Sequence, residues 1–102
     1  MSASDVRVVQ AHDSAASKLR GVGQVYTKGR SELVEMLASI RRPVTMYELL
    51  DAKPRLTQSS VYRNLAVLEE VGVVQRVASS DDRARFELTE DIIGHHHHLF
   101  LL

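Results

Sequence analysis

The 102 residues include no cysteine, which excludes disulfides and thiolate metal ligation and makes a reducing cytoplasm the expected compartment. No apolar run reaches the length needed to cross a bilayer, and Met1-Ser2-Ala3-Ser4-Asp5 lacks the basic-then-apolar pattern of a secretory signal, so no membrane partner is expected. Net charge is zero, with 13 Lys and Arg against 13 Asp and Glu. Proline occurs only at Pro43 and Pro54, and each falls where a helical pattern stops. The remainder is ordinary, at 44% hydrophobic and 25% charged residues, in a length that suits one domain with one modest core.

Zero net charge argues against a nucleic-acid partner, but its distribution points the other way. Residues 1–63 hold ten cations against six acids, and residues 64–102 hold three against seven. A basic first part followed by an acidic remainder fits a molecule with one DNA-facing side, with chance scatter as the alternative.

Residues 1–12 show weak periodicity and read as an arm or a frayed helix start. Asp13 or Ser14 suits the cap of a short helix over Ala15-Ala16-Ser17-Lys18-Leu19-Arg20, stopped by Gly21. Thr27 suits the cap of a second helix, in which Leu33, Met36, Leu37 and Ile40 recur on one face before Arg41-Arg42 and Pro43. Thr45-Met46-Tyr47-Glu48 has capping-box spacing, with Val44 and Leu49 placed for a hydrophobic staple, and opens a short third helix ending near Ala52.

The fourth helix, Gln58 to Val71, is the clearest element. Thr57 stands before it and Gly72 after it, and Val61, Leu65 and Leu68 share one stripe. Ser59, Tyr62, Arg63 and Ala66 fall on the opposite stripe, which is small, polar and cationic with one aromatic. After Gly72 the period changes to two, with a strand from about Val73 and a second through Ala84, Phe86 and Leu88. Ser79-Ser80-Asp81-Asp82 is turn chemistry between them. The expected fold is mainly α with a small β-wing (α+β): a winged helix-turn-helix of four helices followed by a two-stranded antiparallel wing. The expected organisation is an arm over 1–12, a winged-helix domain over 13–90 and a hinge remnant with a histidine run over 91–102.

In such folds the first turns of the second helix of the pair reach base edges, while hydroxyls and cations hold phosphates. Ser59, Ser60, Tyr62 and Arg63 occupy those turns, and Arg63 suits a bidentate pair with guanine. Lys28 and Arg30 flank the start of the second helix and suit phosphate contacts, as do Arg20, Tyr26 and Thr27 just before it. Arg83 in the wing suits the backbone or the minor groove. Double-stranded DNA is therefore the expected partner. The same fold also serves as a protein–protein interaction module, with metal held only adventitiously by the histidines.

His95-His96-His97-His98 supplies imidazoles of the kind that ligate zinc, nickel, copper or ferrous iron. Alternate residues of an extended segment share a face, so His96 and His98 suit one ion, with Glu87 as a third ligand. A polyhistidine tail without a defined site is the competing reading. An enzyme is not expected, because no open-site ligand set accompanies these residues.

Taken in order, Tyr26-Thr27-Lys28-Gly29-Arg30, Ser60-Val61-Tyr62-Arg63-Asn64-Leu65, Leu68-Glu69-Glu70-Val71-Gly72-Val73-Val74, Arg85-Phe86-Glu87-Leu88 and His95 to Leu99 resemble the ferric uptake regulator (Fur) family of metal-responsive repressors. The resemblance implies a bacterial-type transcription regulator for metal homeostasis. It implies a winged-helix DNA-binding domain, a dimerisation domain and a regulatory metal at the hinge, with the metal favouring a closed homodimer on a palindromic operator. Tyr62 and Arg63 match the family's DNA-contacting pair, and Glu87, His96 and His98 match its hinge ligands for a divalent ion (iron, zinc, manganese or nickel). Two departures stand out. Arg42-Pro43-Val44 replaces a region that often carries a histidine, and Leu101 stands where a first structural-zinc cysteine is usual. Structural zinc is accordingly not expected, and the chain is expected to lack the dimerisation domain, with its own dimerisation weak or absent.

Overall fold

A computed structural model of the chain describes residues 3–93. Its elements run α1 (Ala3–Gly21), α2 (Lys28–Ile40), β1 (Val44–Thr45), α3 (Met46–Ala52), α4 (Gln58–Glu70), β2 (Val74–Val77), β3 (Arg85–Leu88) and α5 (Glu90–Ile93). This is the expected winged helix, with three differences in detail.

The first difference is α1. In place of an arm over 1–12 and a helix from about residue 15, one helix of 19 residues begins at Ala3. Ala11, Ala15 and Leu19 recur at four-residue spacing and are fully buried against the rest of the core. Two of these three are alanines, so the stripe is weak in hydrophobicity yet packs closely. The helix also includes Gly21. The chain turns away at Gly23, whose φ of 77° allows Gln24 N–H to reach Leu19 C=O at 2.8 Å and Gly23 N–H to reach Arg20 C=O at 3.1 Å.

The second difference is β1. Val44 and Thr45 pair antiparallel with Phe86 and Arg85, so the wing is the larger part of a three-stranded sheet ordered β1-β3-β2. The third is α5, a single turn where a hinge was expected, which buries Ile92 and places Asp91 Oδ2 3.4 Å from Lys18 Nζ.

The helix-turn-helix itself forms as its sequence dictates. Thr45 Oγ1 accepts from Glu48 N–H at 3.1 Å and Glu48 Oε1 accepts from Thr45 N–H at 2.9 Å, closing the capping box, while Val44 and Leu49 are fully buried beneath it. The Thr45 amide, and after it the Arg42 guanidinium, hold the Glu48 carboxyl below its ordinary pKa. Thr57 caps α4 by accepting from Ser60 N–H at 3.2 Å. Val61, Leu65 and Leu68 are 2% exposed or less and join Leu33, Val34, Leu37, Val73 and Phe86 in one core. Burial of this stripe, worth about 2 kcal/mol for each aliphatic side chain, fixes which face of α4 turns outward.

Candidate nucleic-acid interface

With its apolar stripe buried, α4 presents Ser59, Tyr62, Arg63 and Ala66 to solvent, and Ser60 is half-buried. Tyr62 is 61% exposed, and among the described residues its hydroxyl has no hydrogen-bond partner. Arg63 makes no ion pair among the described residues. The expected groove-reading side chains therefore stand together on one open helical face, in the first half of the helix.

The start of α2 is anchored to that helix. Arg30 Nε donates to Asn64 Oδ1 at 3.1 Å, and Arg30 Nη1 donates to Gln24 Oε1 at 3.2 Å and to Val25 C=O at 2.8 Å. These three acceptors are neutral, and among the described residues Arg30 has no acidic partner and its Nη2 no hydrogen-bond partner. Gly29 makes the approach feasible, because a Cβ there would lie 3.1 Å from Asn64 Nδ2. Asn64 is thus a positioning residue that helical periodicity alone did not single out. Thr27 caps α2 by accepting from Arg30 N–H at 3.2 Å, and Lys28 beside it is exposed.

Tyr26 occupies a different place from the one expected. Its hydroxyl lies 2.6 Å from His12 Nδ1, and His12 Nε2 lies 3.1 Å from Glu35 Oε1. The arrangement satisfying all three groups has the phenol donating to Nδ1 and Nε2–H donating to the carboxylate. Burial, and secondarily the Glu35 charge, push the phenol pKa well above its ordinary value. A hydroxyl so engaged holds α1 to α2 rather than offering itself to a phosphate. Arg20, near the end of α1, stays exposed and outside any ion pair among the described residues.

The wing is braced by its own charges. Asp81 accepts from Ser79 Oγ, from Arg83 N–H at 3.2 Å and from Arg85 Nη2 at 2.6 Å, and these contacts lower its pKa to about 2, Ser79 contributing most. Arg76 donates to both carboxylate oxygens of Glu69, at 3.3 and 3.1 Å, and lies 5.1 Å from the Phe86 ring centre, which locks β2 to the end of α4. Arg83 projects from the wing without an ion pair among the described residues. Between α3, α4 and the wing lies a cleft of about 280 Å³ lined by Tyr47, Tyr62, Arg76, Arg83 and Phe86.

Five cations are held in ion pairs among the described residues. Lys18, Arg42, Arg55, Arg76 and Arg85 are matched with Asp91, Glu48, Glu32, Glu69 and Asp81. Arg20, Lys28, Arg30, Arg63 and Arg83 have no such match among the described residues, and neither do Arg7, Arg41 and Lys53. Three of these five acids, Glu69, Asp81 and Asp91, come from the acidic second part of the chain, and the cations expected to face DNA are left without an acidic partner among the described residues.

At the expected metal site, Glu87 lies on β3 opposite Gln75, whose Nε2 donates to Glu87 Oε2 at 2.6 Å. His96 and His98 lie outside the described residues. Among the described residues no cluster of three or more His, Asp or Glu side chains is poised to hold an ion.

A helical core, a helix-turn-helix with an open polar face and a braced wing together define a winged-helix domain. Residues 22–101 match the family model described as the ferric uptake regulator family, and the chain belongs to that family. Among similar solved structures is the ferric uptake regulator from Pseudomonas aeruginosa with manganese, at 31% identity and a TM-score of 0.58, covering 71% of this chain and 57% of that one. The ferric uptake regulator of Vibrio cholerae is similar at 23% identity and a TM-score of 0.61, covering 72% and 60%. PerR from Streptococcus pyogenes, described for peroxide sensing and gene regulation, is similar at 22% identity and a TM-score of 0.65, covering 76% and 56%. The chain thus spans a little over half the length of these relatives.

Proposed function

We propose that this chain is the DNA-reading unit of a metal-responsive transcriptional repressor. The observation that carries the reading is the face of α4, where a 61% exposed Tyr62 and an exposed Arg63, neither with a polar partner among the described residues, stand opposite the buried Val61, Leu65 and Leu68. In the proposed complex α4 enters the major groove. Arg63 pairs with guanine, Tyr62 meets a thymine methyl or a phosphate, and Ser59 and Ser60 hold the backbone. Lys28, Arg20 and the free Nη2 of Arg30 neutralise phosphates beside the groove, and Arg83 follows the backbone or minor groove at the wing. Thr27 spends its oxygen on the helix cap, leaving only its hydroxyl proton for a phosphate.

The full-length regulator is proposed to act as a homodimer, with its two recognition helices about 34 Å apart on a palindromic operator. A divalent ion, drawn from iron, zinc, manganese or nickel, is proposed to bind Glu87, His96 and His98. Glu87 Oε1 has no partner among the described residues, and the nitrogen–oxygen donor set suits these metals. The similar Pseudomonas aeruginosa regulator holds manganese, which supports a divalent ion here without fixing which.

Titration of this chain against a duplex it selects from a random-sequence pool, and against random duplex, tests the reading at low and moderate salt. The expected result is binding that falls steeply on adding salt, because several of the proposed contacts neutralise phosphates. Absence of binding to either duplex at low salt would overturn it.

A further inference from the structure

Tyr47 stands in the first turn of α3, 55% exposed, and its hydroxyl has no hydrogen-bond partner among the described residues. Helix stability does not require it there, since the capping box is made by Thr45 and Glu48 and the staple by Val44 and Leu49. A smaller polar residue would serve the exposed position without leaving a large aromatic ring in water. Tyr47 and Tyr62 nevertheless line the same cleft, one from each helix of the helix-turn-helix. Met46, Ala84 and Phe86 also line it, and Arg76 and Arg83 supply two guanidiniums against the single carboxylate of Asp82. Arg76 shares its charge with Glu69. The cleft therefore offers two phenol donors and the Arg83 guanidinium, which has no ion pair among the described residues, between α4 and the wing.

We propose that Tyr47 is a second DNA-positioning tyrosine of this chain. Its hydroxyl donates to a phosphate oxygen of the strand that runs through the cleft, between α4 in the groove and the wing on the flank. The proposal rests on the DNA-binding reading and deepens it. A tyrosine on the positioning helix and another on the recognition helix would grip one strand from both sides, fixing how deeply α4 sits. Because a phenol carries no charge, its contact releases no counterion, so it contributes to affinity without contributing to the salt slope.

Tyr47→Phe and Tyr47→Ala are compared with the wild-type chain on the selected duplex and on random duplex, at two salt concentrations. Tyr47→Phe keeps the ring and the fold, and circular-dichroism melting checks both variants. The expected result is a loss of about fivefold for Tyr47→Phe on both duplexes, the worth of one neutral hydrogen bond, with an unchanged salt slope. Methylphosphonate substituted at each flanking phosphate in turn should then weaken wild type at one position where it leaves Tyr47→Phe unaffected. Wild-type affinity in Tyr47→Phe would overturn the proposal while leaving the DNA-binding reading intact. A changed preference at a single base pair would also overturn it, since that marks a base contact. Failure of the wild-type chain to bind any duplex would overturn the underlying reading itself.

Discussion

Replacing Tyr26 with phenylalanine separates a brace from a DNA contact. The Tyr26 hydroxyl lies 2.6 Å from His12 Nδ1, and the same imidazole reaches Glu35 Oε1 at 3.1 Å, so one side chain of α1 joins the loop before α2 to α2 itself. The site is half-buried, and removing the hydroxyl leaves Nδ1 without its donor while the ring keeps its packing. The net cost of one such hydrogen bond is about 1 kcal/mol. In a domain of this size that corresponds to a fall of about 4–8 °C in Tm. Tyr26→Phe, His12→Ala and the double variant, melted under identical conditions, form a cycle whose interaction energy isolates the pair. DNA affinity of Tyr26→Phe, corrected for the folded fraction, should equal wild type. An unchanged Tm together with weakened binding would refute the reasoning and return Tyr26 to the phosphate.

Truncating Leu65 to alanine should cost about 2–5 kcal/mol in chemical denaturation, because it opens a cavity where α4 meets the core, whereas Ala66→Ser on the outer face should be nearly neutral. Asp81 has its pKa lowered to about 2 from an ordinary 3.8, so its bracing of the wing turn is complete above about pH 4 and is lost as pH falls toward 2. Amide exchange at Ser79–Arg85 should rise through that window, and Asp81→Asn should show the higher exchange at neutral pH. Lys28→Ala should weaken binding to all duplexes alike and reduce the slope of log affinity against log salt by about 0.9, read from a salt titration.

Much of the fold was legible because local chemistry and tertiary packing agree. The Thr57 and Thr45 caps, the stripe of Val61, Leu65 and Leu68, and the alternation of Phe86 and Leu88 each announce an element within a few residues. Three elements were not legible in the same way. The buried face of α1 is built from Ala11 and Ala15, which a hydrophobic pattern barely registers. β1 is two residues long and overlaps a capping box whose signal is helical. α5 is one turn, held by Ile92 in a core assembled from distant segments.

The same division runs through the candidate site. Tyr62 and Arg63 were legible because their exposure follows from the burial of their neighbours on α4. Tyr26 was not, because its partner His12 lies fourteen residues earlier and meets it only once α1 folds against α2. The sequence marks Arg30 as a cation suited to phosphate, but its links to Asn64, Gln24 and Val25 depend on the close passage of α2 over α4 at Gly29. Glu87 keeps a cross-strand partner in Gln75 that the register of the wing determines.

The central claim is that the outer face of α4 reads DNA, and the double variant Tyr62→Ala/Arg63→Ala tests it most directly. Both side chains are exposed, so the variant should keep the wild-type melting temperature within about 2 °C, as surface substitutions commonly do. Loss of the guanine pair alone is worth about 1–3 kcal/mol, so binding to the selected duplex should fall by at least about fivefold and approach that of random duplex. Unchanged affinity and unchanged sequence preference in the folded double variant would contradict the account.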